Sequence, residues 1–96
     1  MPLSNLFRKK KADPEAERRA RLLQQGRITE GVIMDTGDDE SGTIRQIYFH
    51  YEVSGVEYES SQLLSEEQRQ SQISYAPGAR VTIRYDPHRP GNSVVV

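Results

Sequence analysis

Cysteine is absent from this 96-residue chain. That single absence excludes a disulfide framework, a cysteine zinc site and a thiol nucleophile together, and it fits a reducing compartment. Long apolar runs are missing as well. No segment approaches the eighteen or so apolar residues that a membrane-spanning helix needs. The basic N-terminus is not followed by an apolar stretch, so a secretory signal is not expected. The chain begins Met-Pro rather than Met-Gly, which argues against myristoylation, and there is no cysteine to prenylate or palmitoylate. The default expectation is a cytoplasmic protein. Leu, Ile, Val and Phe supply only about 22% of the residues, just above the level at which charged chains fail to fold. One domain with a modest core is the most that this length supports.

What is present is unevenly distributed. The formal net charge of −1 conceals a basic head and an acidic body. Residues 1–27 carry eight basic and three acidic side chains, whereas the remainder carries five basic and eleven acidic ones. The stretch "PLSNLFRKKK" reads as a disordered basic arm over residues 1–12. Residues 13–26 then read as a short basic helix. Asp13 suits the N-cap, Pro14 the first helical position and Gly26 the stop. Glu15 and Glu17 precede Arg18, Arg19 and Arg21, an order that complements the helix dipole. About three turns are marginal in isolation, so this helix should fray unless Leu22 and Leu23 dock on the body.

From Arg27 the period changes from helical to alternating. "RITEGVIMDT" is a β-branched run that ends in the polar loop "GDDESG". In "TIRQIYFHYEV", Ile47, Phe49, Tyr51 and Val53 share one face, with Arg45 entering that face at its end, while Gln46, Tyr48, His50 and Glu52 take the other. Ser54-Gly55 has the spacing of a two-residue hairpin into "VEYESSQ". "LLSEEQRQS" breaks the alternation, and Ser65 with Gln68 has capping-box spacing for one helical turn. Pro77-Gly78 marks a turn before "ARVTIRY", and Pro87 with Pro90-Gly91 marks another bend before the final valines. The expected fold is all-β: a small antiparallel five-stranded barrel-like domain over residues 27–96, preceded by the short basic helix. The expected core is Ile28, Val32, Ile47, Phe49, Tyr51, Val53, Val56, Tyr58, Val81, Ile83, Tyr85 and Val95.

These residues also form a recognisable pattern. "LLQQGRITEGVIMD", "YFHYEVSGVEYES" and "YAPGARVTIRYDPHRPGNSVVV" together resemble the bacterial DUF3592 family. The matching positions are Gly31 and Val32, then Tyr51, Gly55 and Tyr58, then Gly78, Val81, Ile83, Tyr85, Asp86, Pro87 and Pro90. The resemblance implies a small β domain without an established activity, of a kind found in many members beside transmembrane helices. It carries over no catalytic residues, and this chain has no such helix in its sequence.

Candidate sites are few. Asp86 and His88 stand two apart in the closing block, but a metal would need further ligands, and His50 is the only other histidine. A proline-bounded turn accounts for the pair better. Asp35, Asp38, Asp39 and Glu40 cluster in one loop without EF-hand spacing, which favours a solvated hairpin loop over calcium. Glu57 and Glu59 share a strand face with nothing apolar around them to separate their pKa values. No serine lies in a nucleophile elbow, and no Gly-rich phosphate loop exists. Catalytic, cofactor and metal sites are therefore not expected, and the role expected is a non-enzymatic accessory or interaction module for an unknown protein partner. The alternative is a peripheral membrane module, with Arg8, Lys9, Lys10 and Lys11 meeting an anionic surface. Nucleic acid is disfavoured, because the acidic body would repel its backbone.

Overall fold

The computed structural model describes residues 14–96. Helix α1 (Pro14–Gln25) leads into strands β1 (Arg27–Asp38), β2 (Ile44–Val53) and β3 (Val56–Leu63). A one-turn helix α2 (Glu66–Arg69) and a 3₁₀ turn (Gln72–Tyr75) follow, and then β4 (Arg80–Asp86) and β5 (Arg89–Val95). The five strands form one sheet in the order β3-β2-β1-β4-β5, with every neighbouring pair antiparallel. The sheet curls into a nearly closed barrel, so the expected all-β architecture is the one found. The expected helical turn also forms: the Ser65 hydroxyl accepts the Gln68 backbone N–H, and the Gln68 side chain accepts the Ser65 N–H.

The long central strand β1 makes the curl possible. Its first half pairs with β4, from Arg27 opposite Tyr85 to Val32 opposite Arg80. Its second half pairs with β2, from Gly31 opposite Tyr51 onward. A bulge at Met34 interrupts the register between Ile33 and Asp35, and bulges increase local twist. The β2–β3 hairpin closes on Ser54 (φ 51°) and Gly55 (φ 83°). Both central residues are left-handed, which is the backbone of a type I′ turn, and glycine carries the second position without strain.

The barrel interior is filled by Ile33, Ile47, Phe49, Tyr51, Ile83 and Val95, each at most 2% exposed. The rings of Phe49, Tyr51 and Tyr58 stack in series, with centroids 6.0 and 5.6 Å apart. Val53, Tyr58 and Tyr85 pack on this core while remaining partly exposed. Three expected core positions are corrected. Ile28 is 62% exposed, Val32 is only half-buried, and Val56 is 51% exposed. In β1 the inward residues are Gly31 and Ile33 rather than Ile28 and Val32. Gly31 has no side chain to signal its side, and the space above it is taken by Ile83. Val56 sits beside the hairpin turn, at the rim of the barrel.

Leu22, Ile44, Leu64, Tyr75 and Val94 join the buried set that the alternation did not mark. Leu22, at 4% exposure, docks α1 on the body and so supplies the anchor that a three-turn helix requires. Burying a leucine side chain contributes about 2 kcal/mol. Polar ties reinforce the docking. The Arg18 guanidinium donates to Asn92 Oδ1 at 2.7 Å and to the Ser93 carbonyl at 3.1 Å, and it holds Glu15 along the helix. At the other end, the Gly26 N–H bonds the Leu22 carbonyl and Arg84 donates to the Gly26 carbonyl at 3.0 Å. The expected N-cap at Asp13 lies outside the described residues.

The closing block also differs from expectation. Only Pro87 and His88 form the turn, and β5 already begins at Arg89. Pro90 and Gly91 are therefore inside a strand rather than in a bend. A proline is tolerated there because β5 ends the sheet, and one of its edges has no strand asking for a backbone donor. The Tyr51 hydroxyl donates to the Pro90 carbonyl, and the Tyr58 ring lies against Gly91.

Candidate functional site

The best-formed cleft in the described residues, about 270 Å³, lies between α1 and the β4–β5 turn. One wall is helical and consists of Arg18, Arg21, Leu22 and Gln25, with Gly26 at its end. The other wall is Asp86, Pro87, His88 and Asn92. Sequence reasoning placed Asp86 and His88 on a turn, and the geometry agrees. Asp86 Oδ1 accepts the His88 backbone N–H at 2.8 Å, the bond by which an Asx turn replaces a backbone turn. The His88 ring is left free at the cleft mouth. The helical wall was not foreseen, because its arginines pair equally well with a helix dipole or with water in a one-dimensional reading.

The other candidate residues are dispersed. His50 stands on the outer face of β2, opposite Val32 on one side and Glu59 on the other. Glu57 faces Glu52 across the β2–β3 pair, and all of Glu52, Glu57 and Glu59 are exposed. Like charges placed directly opposite are unfavourable, and solvent screening makes such a pair tolerable. Among the described residues, no three His, Asp or Glu side chains converge where a metal would sit.

In the acidic loop, Asp39 serves its own backbone. Its Oδ1 accepts the Ser41 hydroxyl at 2.6 Å, the Ser41 N–H at 2.9 Å and the Thr43 N–H at 3.0 Å. Its Oδ2 accepts from Arg45 at 3.1 Å, which places Arg45 on the solvent side rather than at the end of the core face. The hydrogen bond from the Ser41 hydroxyl, then that from the Thr43 N–H, hold the Asp39 carboxyl at about 2, well below its ordinary 3.8. A depressed folded value means that the loop's contribution is present above the ordinary carboxylate range and is lost as pH falls through about 2. A carbon-detected titration of the Asp39 carboxyl should therefore give a midpoint about two units below a free aspartate. A midpoint near 4 would show that the loop donors do not hold the carboxylate in solution.

Burial pushes the Tyr51 phenol up from its ordinary 10.0, with the Ser93 hydroxyl nearby as the main opposing influence. That serine oxygen is buried, and its geometry falls short of a hydrogen bond to any described atom. Tyr51 is a structural strut: its ring fills the core, and its hydroxyl satisfies the Pro90 carbonyl. The family-pattern residues have comparable structural duties. Gly31 admits Ile83 and Tyr51, Gly78 holds φ 89° at the turn before β4, and Tyr85 pairs with Ser93.

Arg8, Lys9, Lys10 and Lys11, the candidates for an anionic surface, lie outside the described residues. No helix in the described residues is long and apolar enough to cross a membrane.

Neither the curated proteins nor the solved structures contain a match. Residues 24–96 match the domain of unknown function DUF3592. That span takes in all five strands and the closing turn, and it leaves most of α1 outside. The chain belongs to the DUF3592 family.

Proposed function

We propose that this chain is a non-enzymatic accessory module that works by binding another protein. The observation carrying the reading is the filled interior. Barrels that enclose a ligand keep a cavity for it, whereas here stacked Phe49, Tyr51 and Tyr58 and the aliphatic side chains around them occupy that space. Among the described residues the acidic and histidine side chains do not gather into a cluster. Asp39 and Asp86 are acceptors within their own turns, and the glutamates of β2 and β3 stand in water. A rigid scaffold with open outer faces is suited to recognition.

The test is affinity capture from the native host with the whole chain and with a version lacking residues 1–12. Each retained protein is then purified and titrated directly. A partner that binds the purified chain at micromolar or better affinity supports the reading. Failure of every retained protein to bind in the purified titration counts against it.

A further inference from the structure

The cleft between α1 and the β4–β5 turn holds a surplus of hydrogen-bond donors. Arg21 lines it with no hydrogen bond or ion pair among the described residues. The Gln25 amide and the His88 ring are likewise uncommitted, since His88 uses only its backbone N–H. Asn92 Oδ1 is held by Arg18, which fixes the amide and leaves its NH₂ end free. Opposing these donors, Asp86 has one carboxylate oxygen tied into its turn and one remaining. Leu22 and Pro87 add an apolar floor. Donors and two apolar side chains lining about 270 Å³ make a shallow pocket just under the usual size of ligand sites.

We propose that this cleft binds a small oxyanion-bearing ligand, a carboxylate or a phosphate, with Arg21 as its charged anchor. The guanidinium presents a planar fork that matches either oxyanion in two parallel bonds. Arg18 does not compete for the role. Four of its five N–H donors are spent on Glu15, Asn92 and the Ser93 carbonyl, and they make a stiff wall. The Asp86 charge keeps the affinity low, and its free oxygen favours ligands with a hydroxyl or amine beside the anion. Half of the site comes from α1, most of which precedes the family match at residue 24. The site stands independently of the protein-binding reading.

The experiment titrates isotopically labelled whole chain with inorganic phosphate and with acetate, against sodium chloride at equal ionic strength. Saturable amide shifts at Gly26, His88 and Asn92 are expected, with a dissociation constant on the order of 1 mM. Arg21 is solvent-exposed at the cleft and glutamine keeps helix propensity, so Arg21→Gln should fold normally and weaken binding at least about fivefold. Saturation by phosphate alone assigns the site to phosphate esters, by acetate alone to carboxylates, and by both to the oxyanion itself. Shifts that are linear and match sodium chloride overturn the proposal. So does saturable binding that Arg21→Gln leaves unchanged.

Discussion

Gly31→Ala should destabilise the barrel by about 3 kcal/mol, the upper end of what overpacking a core costs. A Cβ on Gly31 would stand 2.3 Å from Ile83 Cδ1 and 2.6 Å from the His50 carbonyl oxygen. The Ile83 methyl can rotate away, but it is fully buried and its neighbours are packed. The His50 oxygen belongs to the backbone of β2 and moves only if the β1–β2 pairing moves. Gly31 pairs with Tyr51 in that ladder and with Val81 on the other side, so both of the central strand's neighbours resist displacement. For a domain of this size the loss lowers Tm by on the order of 15 °C. Gly37→Ala is the control within the same strand. There a Cβ meets Gln46 Cβ at 3.5 Å, an ordinary contact, and the lost chain entropy of glycine makes the change neutral or slightly stabilising. Thermal denaturation of the two variants decides the matter: equal Tm values would mean that the Gly31 approach is not what holds the strand.

That glycine also explains which parts of the fold were legible in one dimension. In β2 and β4 the apolar residues recur at every second position, and the faces they imply are the faces found. In β1 the apolar residues fall on both parities. Ile28, Val32 and Met34 outnumber Ile33, yet the inward side is the one with Gly31 and Ile33. A strand whose core position is a glycine loses its signal where the packing is tightest, and the bulge at Met34 then removes the remaining phase. Leu64 and Tyr75 were obscured differently. They lie in the connection between β3 and β4, where strand alternation does not apply and the helical turn is too short to show a period. The Asp39 loop and the Asp86 turn were readable because aspartate beside Gly, Ser or Pro has few local alternatives. The cleft was not readable, since it needs α1 beside the β4–β5 turn, a contact across more than seventy residues.

Gln62→Leu should cost about 2 kcal/mol, and it tests how the barrel is closed. Strands β3 and β5 are the two ends of the sheet and are not joined by a backbone ladder. In its place, Gln62 accepts the Val95 N–H at 2.8 Å and donates to the Val95 carbonyl at 3.3 Å. One side-chain amide thus reproduces the two bonds of an antiparallel residue pair. Gln72 repeats the device from the β3–β4 connection, on the N–H and carbonyl of Ile44. Leucine nearly matches glutamine in size, so the penalty falls on the buried N–H of Val95, which loses its acceptor. The Val95 carbonyl keeps the 3.0 Å bond from Gln68 and limits the damage. Gln62→Glu separates this account from simple packing. A carboxylate there accepts the Val95 N–H but has nothing to donate and buries a charge, whereas the protonated acid can do both. Burial raises the pKa of the introduced acid, so that variant should approach wild-type stability near pH 4 and lose it as pH rises toward 8. Amide exchange at Val95 is the local readout. Compared with wild type at the same pH, it should accelerate in Gln62→Leu at any pH and in Gln62→Glu only on the alkaline side, where the buried charge loosens the seam. Wild-type protection of that amide in both variants would mean that the seam is held by the stacked tyrosines and Pro90 rather than by the glutamine.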